Sequence, residues 1–150
     1  GKVAQIVTAT SSTPATSSVI IPYDNTIPQN TEGSESLTIA ITPTNASSTL
    51  IVEFDAYAAS SALLNAIFAL FVDSTADAIQ ATILTCPAAD YILPVRLKYI
   101  VSAGSTSART YKIRYGPDRT GLVGMLRSNS TSGFFSTADS ANLTVTEILP

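Results

Sequence analysis

The stretch LTIAITPTNASSTLIVEFD, residues 37–55, decides the fold. Large apolar side chains occupy every second position of residues 37–41 and again of residues 50–54, and small or polar side chains fill most of the positions between them. A period of two places one face of a strand against a core and the other face in solvent. The connecting segment, residues 42–49, is rich in turn-forming residues, so this stretch predicts two antiparallel strands joined as a hairpin.

Turn signals of the same kind continue through the rest of the chain. Clusters of Gly, Pro, Ser, Thr and Asn recur about every ten residues, which is the spacing of a sandwich or barrel rather than of alternating strands and helices. A length of 150 residues fits one domain. We therefore predict a single antiparallel β-sandwich over residues 1–150, with about eight to ten strands. Residues 1–36 supply its first strand and a turn-rich entry segment.

A second hairpin is predicted from residues 93–101 and 109–115, which flank the loop at residues 102–107. The face opposite their apolar side chains carries four cations, Arg96, Lys98, Lys112 and Arg114. Like charges that face each other destabilise a sheet unless acids neighbour them. We therefore expect this polar contact face to meet acidic side chains such as Glu53 and Asp55, or else an anionic ligand, and favour the acids.

Residues 66–72 (AIFALFV) break the alternation, because both faces of a strand built from them are apolar. In a two-sheet sandwich only one face of a strand meets the core, so the other face needs a second cover. A subunit interface would supply such a cover. We predict that Ile67, Phe68, Leu70 and Val72 form this interface. A central strand covered by loops of the same chain, or a buried helix, are the alternatives.

The most apolar stretch, residues 56–72, is not a membrane span. It is shorter than the ~20 residues that cross a bilayer, and Asp55 and Asp73 flank it instead of Lys or Arg. We predict no membrane insertion. Ser60 and Ser61 interrupt the stretch, which favours two strands with a short connection over one buried helix.

The charged and reactive residue types limit the function classes. A net charge of −3 argues against nucleic-acid binding, which needs a basic face. The chain has no histidine, which excludes Ser-His-Asp, Cys-His and His-ligated metal sites within it. The single cysteine, Cys86, has no partner for an internal disulfide and is expected to be a small buried hydrophobe.

The carboxylates do not suggest chemistry either. Glu53 and Asp55 share the wet face of one predicted strand, which is an ordinary ion-pair arrangement, and Glu32 with Glu35 is no more persuasive as an acid–base pair. The turn that holds Asp24 does not have the spacing of a calcium loop. We therefore expect no enzyme activity, no catalytic residue, no metal and no cofactor.

The last predicted strand, residues 143–148, contains an exception. Glu147 falls on its apolar face, near its end. A bulge, a sheet edge or an interface ion pair would each explain a carboxylate in that position.

Three segments carry a resemblance to a known family. Residues 24–33 (DNTIPQNTEG), 71–76 (FVDSTA) and 144–148 (TVTEI) resemble domains that recur in bacteriophage tail fibres and related virion proteins. The likeness covers most of the chain and is loosest over residues 122–136. It implies a jelly-roll sandwich of the complement-C1q and tumour-necrosis-factor (TNF) kind, assembled as a homotrimer on the virion surface. The trimer contacts would then cover residues 66–72.

Three functions follow as hypotheses. The first is the trimeric tip of a tail fibre or tailspike, joined to a fibre shaft and attached to a host-surface glycan or protein. The second is a capsid decoration (cement) protein on the major capsid protein. The third is a cellular carbohydrate-binding module. That module would need exposed stacking residues, and we expect core packing to claim most of the candidates, Tyr23, Tyr91, Phe134 and Phe135.

Overall fold

The computed structural model describes all residues, 1–150, and is built from ten β-strands and one turn of 3-10 helix. The strands in chain order are β1 (Val3–Ser11), β2 (Ala15–Ser17), β3 (Ser34–Ile41), β4 (Thr49–Ser60), β5 (Leu64–Val72), β6 (Gln80–Cys86), β7 (Leu93–Ser102), β8 (Arg109–Pro117), β9 (Val123–Met125) and β10 (Ala141–Ile148). The helical turn, Phe135–Thr137, has three residues and is far too short to cross a membrane.

All the strands pair antiparallel, in two sheets. The larger sheet has the order β1-β10-β4-β9-β2, with β7 on the other edge of β4. The long strand β4 therefore pairs with both β10 and β9 along one edge and with β7 along the other. The smaller sheet has the order β3-β8-β5-β6. The predicted all-β antiparallel sandwich with about eight to ten strands is confirmed.

The core lies between the two sheets and follows the predicted alternation. Leu50, Val52 and Phe54 of β4 are buried, at 0–1% exposure, in a cluster of 23 residues. Aromatic rings join the sheets across it: the Phe68 centroid lies 5.7 Å from that of Phe54 and 5.4 Å from that of Tyr115. Stacking at such distances adds about 0.5–1.5 kcal/mol per pair to the burial of the rings. Cys86 is buried in this cluster, as predicted.

Both predicted hairpins are wrong. Strand β3 pairs with β8 in the smaller sheet, while β4 lies in the larger one, so residues 42–48 cross between the sheets. Strand β7 pairs with β4, and β8 pairs with β3 and β5, so the connection from β7 to β8 crosses as well. Alternation reports which side of a strand is buried, but it does not specify the neighbouring strand.

The apolar stretch at residues 56–72 forms two strands, as favoured. Strand β4 ends at Ser60 and β5 begins at Leu64. The hydroxyl of Ser60 donates to the carbonyl of Ala62 within the connection, at 2.6 Å. Short-range bonding of a serine hydroxyl to a nearby carbonyl stabilises a turn and interrupts a helix.

Residues 18–33 run across the outer face of the smaller sheet. The backbone N–H of Ile21 donates to the carbonyl of Pro117 at 2.9 Å, and Ile21 is only 1% exposed. The Arg114 guanidinium donates to the carbonyls of Glu32 (2.7 Å) and Gly33 (2.8 Å). These contacts fix the segment to β8, and we call it the covering segment.

Two glycines allow this close approach. Gly33 has φ 65°, and a Cβ atom there would lie 2.8 Å from Ile21 and 2.9 Å from the carbonyl oxygen of Tyr115. A Cβ atom at Gly116 would lie 2.0 Å from the carbonyl oxygen of Val19. Only a residue without a side chain permits such contacts.

The covering segment corrects the interpretation of β5 as a subunit interface. Phe68 and Leu70 face the core and are 0% exposed, so they are not available to another subunit. Ile67 lies on the outer face but is only 6% exposed, because residues of the covering segment such as Pro22 lie against it. Val72 is half-buried against the core. The second cover comes from the same chain, which was the alternative interpretation.

Glu147 anchors one end of the larger sheet. One carboxylate oxygen accepts the Thr44 N–H (2.9 Å), the Thr44 hydroxyl (3.0 Å) and the Asn45 N–H (3.2 Å), and the other accepts the Gln5 amide (2.7 Å). Burial by itself would raise the pKa of Glu147, but hydrogen bonds, led by that from Gln5, hold the pKa at about 2. The register of β1 shifts between Val3 and Gln5, so a bulge accompanies the buried carboxylate.

Candidate contact surface

The outer face of the larger sheet carries the first two predicted cations. Strands β4 and β7 pair so that Glu53 lies opposite Lys98 and Asp55 lies opposite Arg96. The Lys98 ammonium is 3.6 Å from the Glu53 carboxylate. The expectation that acids neighbour these cations is therefore confirmed on β7. Such exposed ion pairs contribute about 0–1 kcal/mol, so they keep the surface polar more than they stabilise the fold.

The other two predicted cations do not belong to this surface. Lys112 and Arg114 lie on β8, in the opposite sheet, so the four cations do not form one contact face. The physical reason is the crossover between β7 and β8, which was predicted as a hairpin. Arg114 holds the covering segment through its two carbonyl contacts and lies 3.9 Å from Glu35.

An open apolar groove lies further along β4 and β7, on the same outer face. Tyr57 and Pro94 are the next outward pair after Asp55 and Arg96. The groove has a volume of about 370 Å³. Its lining residues are Tyr57, Ile92, Pro94, Phe134 and Phe135. We call it the aromatic groove.

The aromatic groove displays its rings to solvent. Phe135 is 73% exposed, and Ile92 is 45% exposed. The ring of Phe134 lies 6.2 Å from that of Tyr57 and 6.0 Å from that of Phe135, centroid to centroid. A phenylalanine left in water forgoes about 2 kcal/mol of burial, and exposed apolar patches rimmed by polar residues commonly mark binding surfaces.

A loop with unusual backbone geometry presents Phe135. Phe135, Ser136 and Thr137 have φ of 53°, 49° and 69°, the left-handed region that side chains disfavour. Each such residue costs on the order of 1–2 kcal/mol. The N–H groups of Thr137 and Ala138 donate to the carbonyls of Phe134 (3.1 Å) and Phe135 (3.0 Å), which closes the turn.

Asp90 joins the two loops that precede the groove residues Ile92 and Phe134 in the chain. Its carboxylate accepts the N–H of Ser130 at 2.7 Å, and its own N–H donates to the carbonyl of Ser60 at 3.0 Å. These contacts tie residues 87–92 and 126–131 to the end of β4. The hydrogen bond from the Ser130 N–H lowers the pKa of Asp90, so this carboxylate is ionised at neutral pH.

Asp139 supplies the polar element beside the groove. One of its oxygens accepts the hydroxyl of Tyr57, and burial together with this carboxylate raises the pKa of Tyr57 to about 12. Tyr57 is therefore a neutral hydrogen-bond donor at physiological pH. The other oxygen of Asp139 is shielded from solvent and accepts no hydrogen bond. A carboxylate offers about four acceptor positions, so most of the capacity of Asp139 is unused.

The prediction that core packing claims most of the aromatic candidates is wrong. Core packing does not claim the four candidates: Tyr23, Tyr91 and Phe135 are 67%, 53% and 73% exposed, and Phe134 is half-buried. Two adjacent rings inside the hydroxyl-rich loop SNSTSGFFST, residues 128–137, were the available signal. Nothing in the sequence indicates that Tyr57 belongs to a binding surface, because it continues an ordinary strand pattern.

The remaining candidates for chemistry lie apart from this groove. No group of three His, Cys, Asp or Glu side chains converges anywhere in the chain. Glu32 accepts the N–H of Gln29 at 2.9 Å, and Asp24 accepts the N–H of Thr26 at 2.8 Å, so both stabilise turns.

Comparison with known proteins extends the description of the fold. No protein-family model matches the chain, and no curated protein matches it. Among solved structures it is similar to Eiger TNF from S. frugiperda, with 8% identity, a TM-score of 0.54, and 96% of this chain and 93% of that chain covered. This likeness confirms the TNF-like jelly roll that the resemblance implied, and at such low identity it shows the fold alone.

Two weaker likenesses are to a sugar-binding domain and to a viral structure. The sugar-binding EclA C-terminal domain has 13% identity and a TM-score of 0.38, with 84% of this chain and 78% of that chain covered. The infectious bursal disease virus structure of the Gx strain has 12% identity and a TM-score of 0.45, with 95% of this chain but 36% of that chain covered. With TM-scores this low, neither supports a functional conclusion.

Proposed function

We propose that this chain is a non-enzymatic virion surface domain, a homotrimeric jelly roll at the tip of a phage tail fibre or tailspike that attaches to the host. The single observation that carries the proposal is the aromatic groove, in which the side chain of Phe135 is 73% exposed and lies on a strained loop. Strain and solvent-exposed rings both oppose folding, so a role in binding accounts for them better than a role in stability.

The chemistry of the groove favours binding over catalysis. Its lining contains one ionisable side chain, Tyr57, whose pKa of about 12 keeps it protonated near neutral pH. A general acid or base works best when its pKa lies near the operating pH. The neighbouring Asp139 accepts its hydrogen bond from that phenol.

The distribution of the phage-like segments also supports attachment. Residues 24–33 belong to the covering segment, residues 71–76 comprise the end of β5 and the turn after it, and residues 144–148 lie in β10. All three segments are scaffold. The loosest part of the resemblance, residues 122–136, includes both phenylalanines of the groove. Shared scaffold with divergent loops is the pattern of a domain family that varies its recognition surface.

Labelling of intact particles tests this proposal. Antibody raised against the chain is added to virus particles that carry it, and bound antibody is located by electron microscopy. We expect label at the tail and, for the purified chain, a sedimentation mass three times 15.6 kDa. Label over the whole shell, or a monomer at all concentrations, would overturn the attachment trimer.

A capsid decoration protein is the second candidate, and one surface favours it. On the outer face of the larger sheet, Ile6, Thr146, Ile51 and Ile100 lie opposite one another on four adjacent strands. Ile6 and Ile100 are 60% and 58% exposed. A mostly apolar row across four strands suits a broad contact with a shell, and labelling over the whole shell would support this candidate.

A further inference from the structure

We propose that a small polar cavity at the end of β4, which contains Arg127, binds the carboxylate group of a ligand. The cavity shares no lining residue with the aromatic groove, and the inference does not depend on the attachment function. It rests on three observations: a cation that the fold leaves unpaired, unused hydrogen-bond donors around it, and a strained turn that positions it.

The lining of the cavity contains one charged residue, Arg127, and no carboxylate. Polar side chains surround this charge: Thr16, Ser60, Ser61, Ser128 and Asn129. The volume is about 60 Å³. A cavity needs about 10–15 Å³ to hold one water, so this one has room for a few waters or for one small oxyanion. It therefore suits a charged head group whose remainder stays outside the cavity.

Arg127 is half-buried, and the chain does not neutralise it. It takes part in none of the three ion pairs of the structure. Its single hydrogen bond runs from Nε to the carbonyl of Ser128, at 3.0 Å, so its two terminal amino groups have no acceptor in the chain. A half-buried cation without a counter-ion has lost part of its hydration. A carboxylate that accepts from both amino groups restores these contacts, and its geometry matches that of a guanidinium.

Other lining side chains also have donors to offer. The hydroxyl oxygen of Ser61 accepts the N–H of Leu122 at 2.9 Å, so its own hydrogen remains available. The Thr16 hydroxyl and the Asn129 side-chain amide line the same cavity and make no hydrogen bond within the chain. Donors that surround a guanidinium require a ligand rich in acceptors, and a carboxylate accepts at about four positions. A cationic ligand would be repelled by Arg127.

A strained turn positions Arg127. Leu126 is fully buried and has φ 59°, a conformation that side chains disfavour, and its N–H donates to the carbonyl of Tyr57 at 3.1 Å. The turn follows β9 and places the Arg127 stem against Gly124, where a Cβ atom would lie 3.0 Å from Cγ of Arg127. The turn and the glycine together hold the guanidinium in the cavity, and backbone strain of this kind is concentrated at binding sites.

Asp90 limits the charge of the ligand. Its carboxylate accepts the N–H of Ser130, next in the chain to the lining residues Ser128 and Asn129, and it is ionised at neutral pH. The ligand therefore meets one positive charge inside the cavity and one negative charge nearby. A phosphate dianion would be repelled by Asp90 more strongly than a singly charged carboxylate. We therefore expect a carboxylate to bind more tightly than phosphate.

Protein-observed NMR on the full chain tests the inference. Spectra of the ¹⁵N-labelled protein are recorded during titration with sodium acetate and with sodium phosphate at pH 7. Sodium chloride at equal ionic strength and acetamide, the neutral analogue of acetate, are the controls. We expect acetate to shift the backbone amide signals of Ser61, Ser128 and Asn129 to saturation, with a Kd of about 10 mM or below, and phosphate to bind at least about threefold more weakly.

Matched variants connect the signal to the guanidinium. Arg127→Gln removes the charge and should weaken acetate binding at least about tenfold. Arg109→Gln is the control, because Arg109 is also half-buried without an ion pair but does not line the cavity, and it should bind like the parent. Thermal melts establish that the variants fold, and the amide shifts of the parent locate the site without any variant.

Four results would overturn the inference. They are acetate shifts no larger than those with chloride, equal shifts with acetamide, binding by Arg127→Gln that matches the parent, and phosphate that binds more tightly than acetate.

Discussion

Two carboxylates lie near the two ends of strand β10, and they accept very different numbers of hydrogen bonds from the rest of the chain. Glu147, near the end of the strand, accepts four hydrogen bonds from three residues and joins β1 to the crossover after β3. Asp139, just before the strand begins, accepts one, from Tyr57, and leaves an oxygen unpaired. The first carboxylate completes the fold. The second retains acceptor capacity that the fold does not use.

The surroundings of the two carboxylates differ in the same direction. Around Glu147 the backbone is regular apart from one bulge, and the donors come from residues distant in sequence. Around Asp139 the loop holds three consecutive left-handed residues and a phenylalanine in solvent. One end of the larger sheet therefore holds a carboxylate that the fold uses fully, and the other holds a strained loop and a carboxylate with one unpaired oxygen.

Replacement of Glu147 should give the largest effect. Glu147→Ala removes a buried carboxylate that accepts four hydrogen bonds, and it should cost about 3 kcal/mol of unfolding free energy. Asp139→Ala removes one hydrogen bond and relieves one unpaired oxygen, so it should cost under about 1 kcal/mol. Chemical denaturation of both variants measures the difference in unfolding free energy, and equal losses would contradict the distinction between the two carboxylates.

Acid should lower the stability of the protein through protonation of Glu147. The pKa of Glu147 is lowered from 4.5 to about 2 in the folded protein, so its contribution is present above the unfolded pKa of 4.5 and is lost as the pH falls toward 2. The stability gap between the parent chain and Glu147→Gln should therefore shrink over that range. Denaturation at a series of pH values measures the gap, and a gap that stays constant down to pH 2 would contradict the assignment.

Relief of strain at the other end should have the smallest effect. Ser136 has φ 49°, which glycine adopts without steric cost. Ser136→Gly should raise the stability by about 0.5 kcal/mol, after the added entropy of the unfolded chain is subtracted. A thermal shift of a few degrees upward is the expected readout. A clear loss of stability would mean that the loop is not strained.

The sequence predicted those features that depend on local alternation. The burial of Leu50, Val52 and Phe54 and the outward position of Glu53 follow directly from a period of two. The need for a second cover over residues 66–72 was also readable. Its source was not, because the covering segment reaches β8 through contacts more than 80 residues apart in sequence.

Strand pairing and the binding surface were beyond local patterns. Each predicted hairpin joined consecutive strands, whereas a jelly roll sends the chain from one sheet to the other at those two places. The aromatic groove combines β4, the start of β7 and the loop after β9. The paired rings of Phe134 and Phe135 were visible in the sequence, but Tyr57 is ordinary in its own segment, and only the tertiary fold brings it to Phe134.

The most direct test of the contrast between the two carboxylates is a paired measurement of the unfolding free energy of Asp139→Asn and Glu147→Gln under the same conditions. We expect Asp139→Asn to keep its stability within about 0.5 kcal/mol and Glu147→Gln to lose about 2 kcal/mol. A stability loss at Asp139 as large as that at Glu147 would contradict the conclusion that Glu147 completes the fold and Asp139 does not.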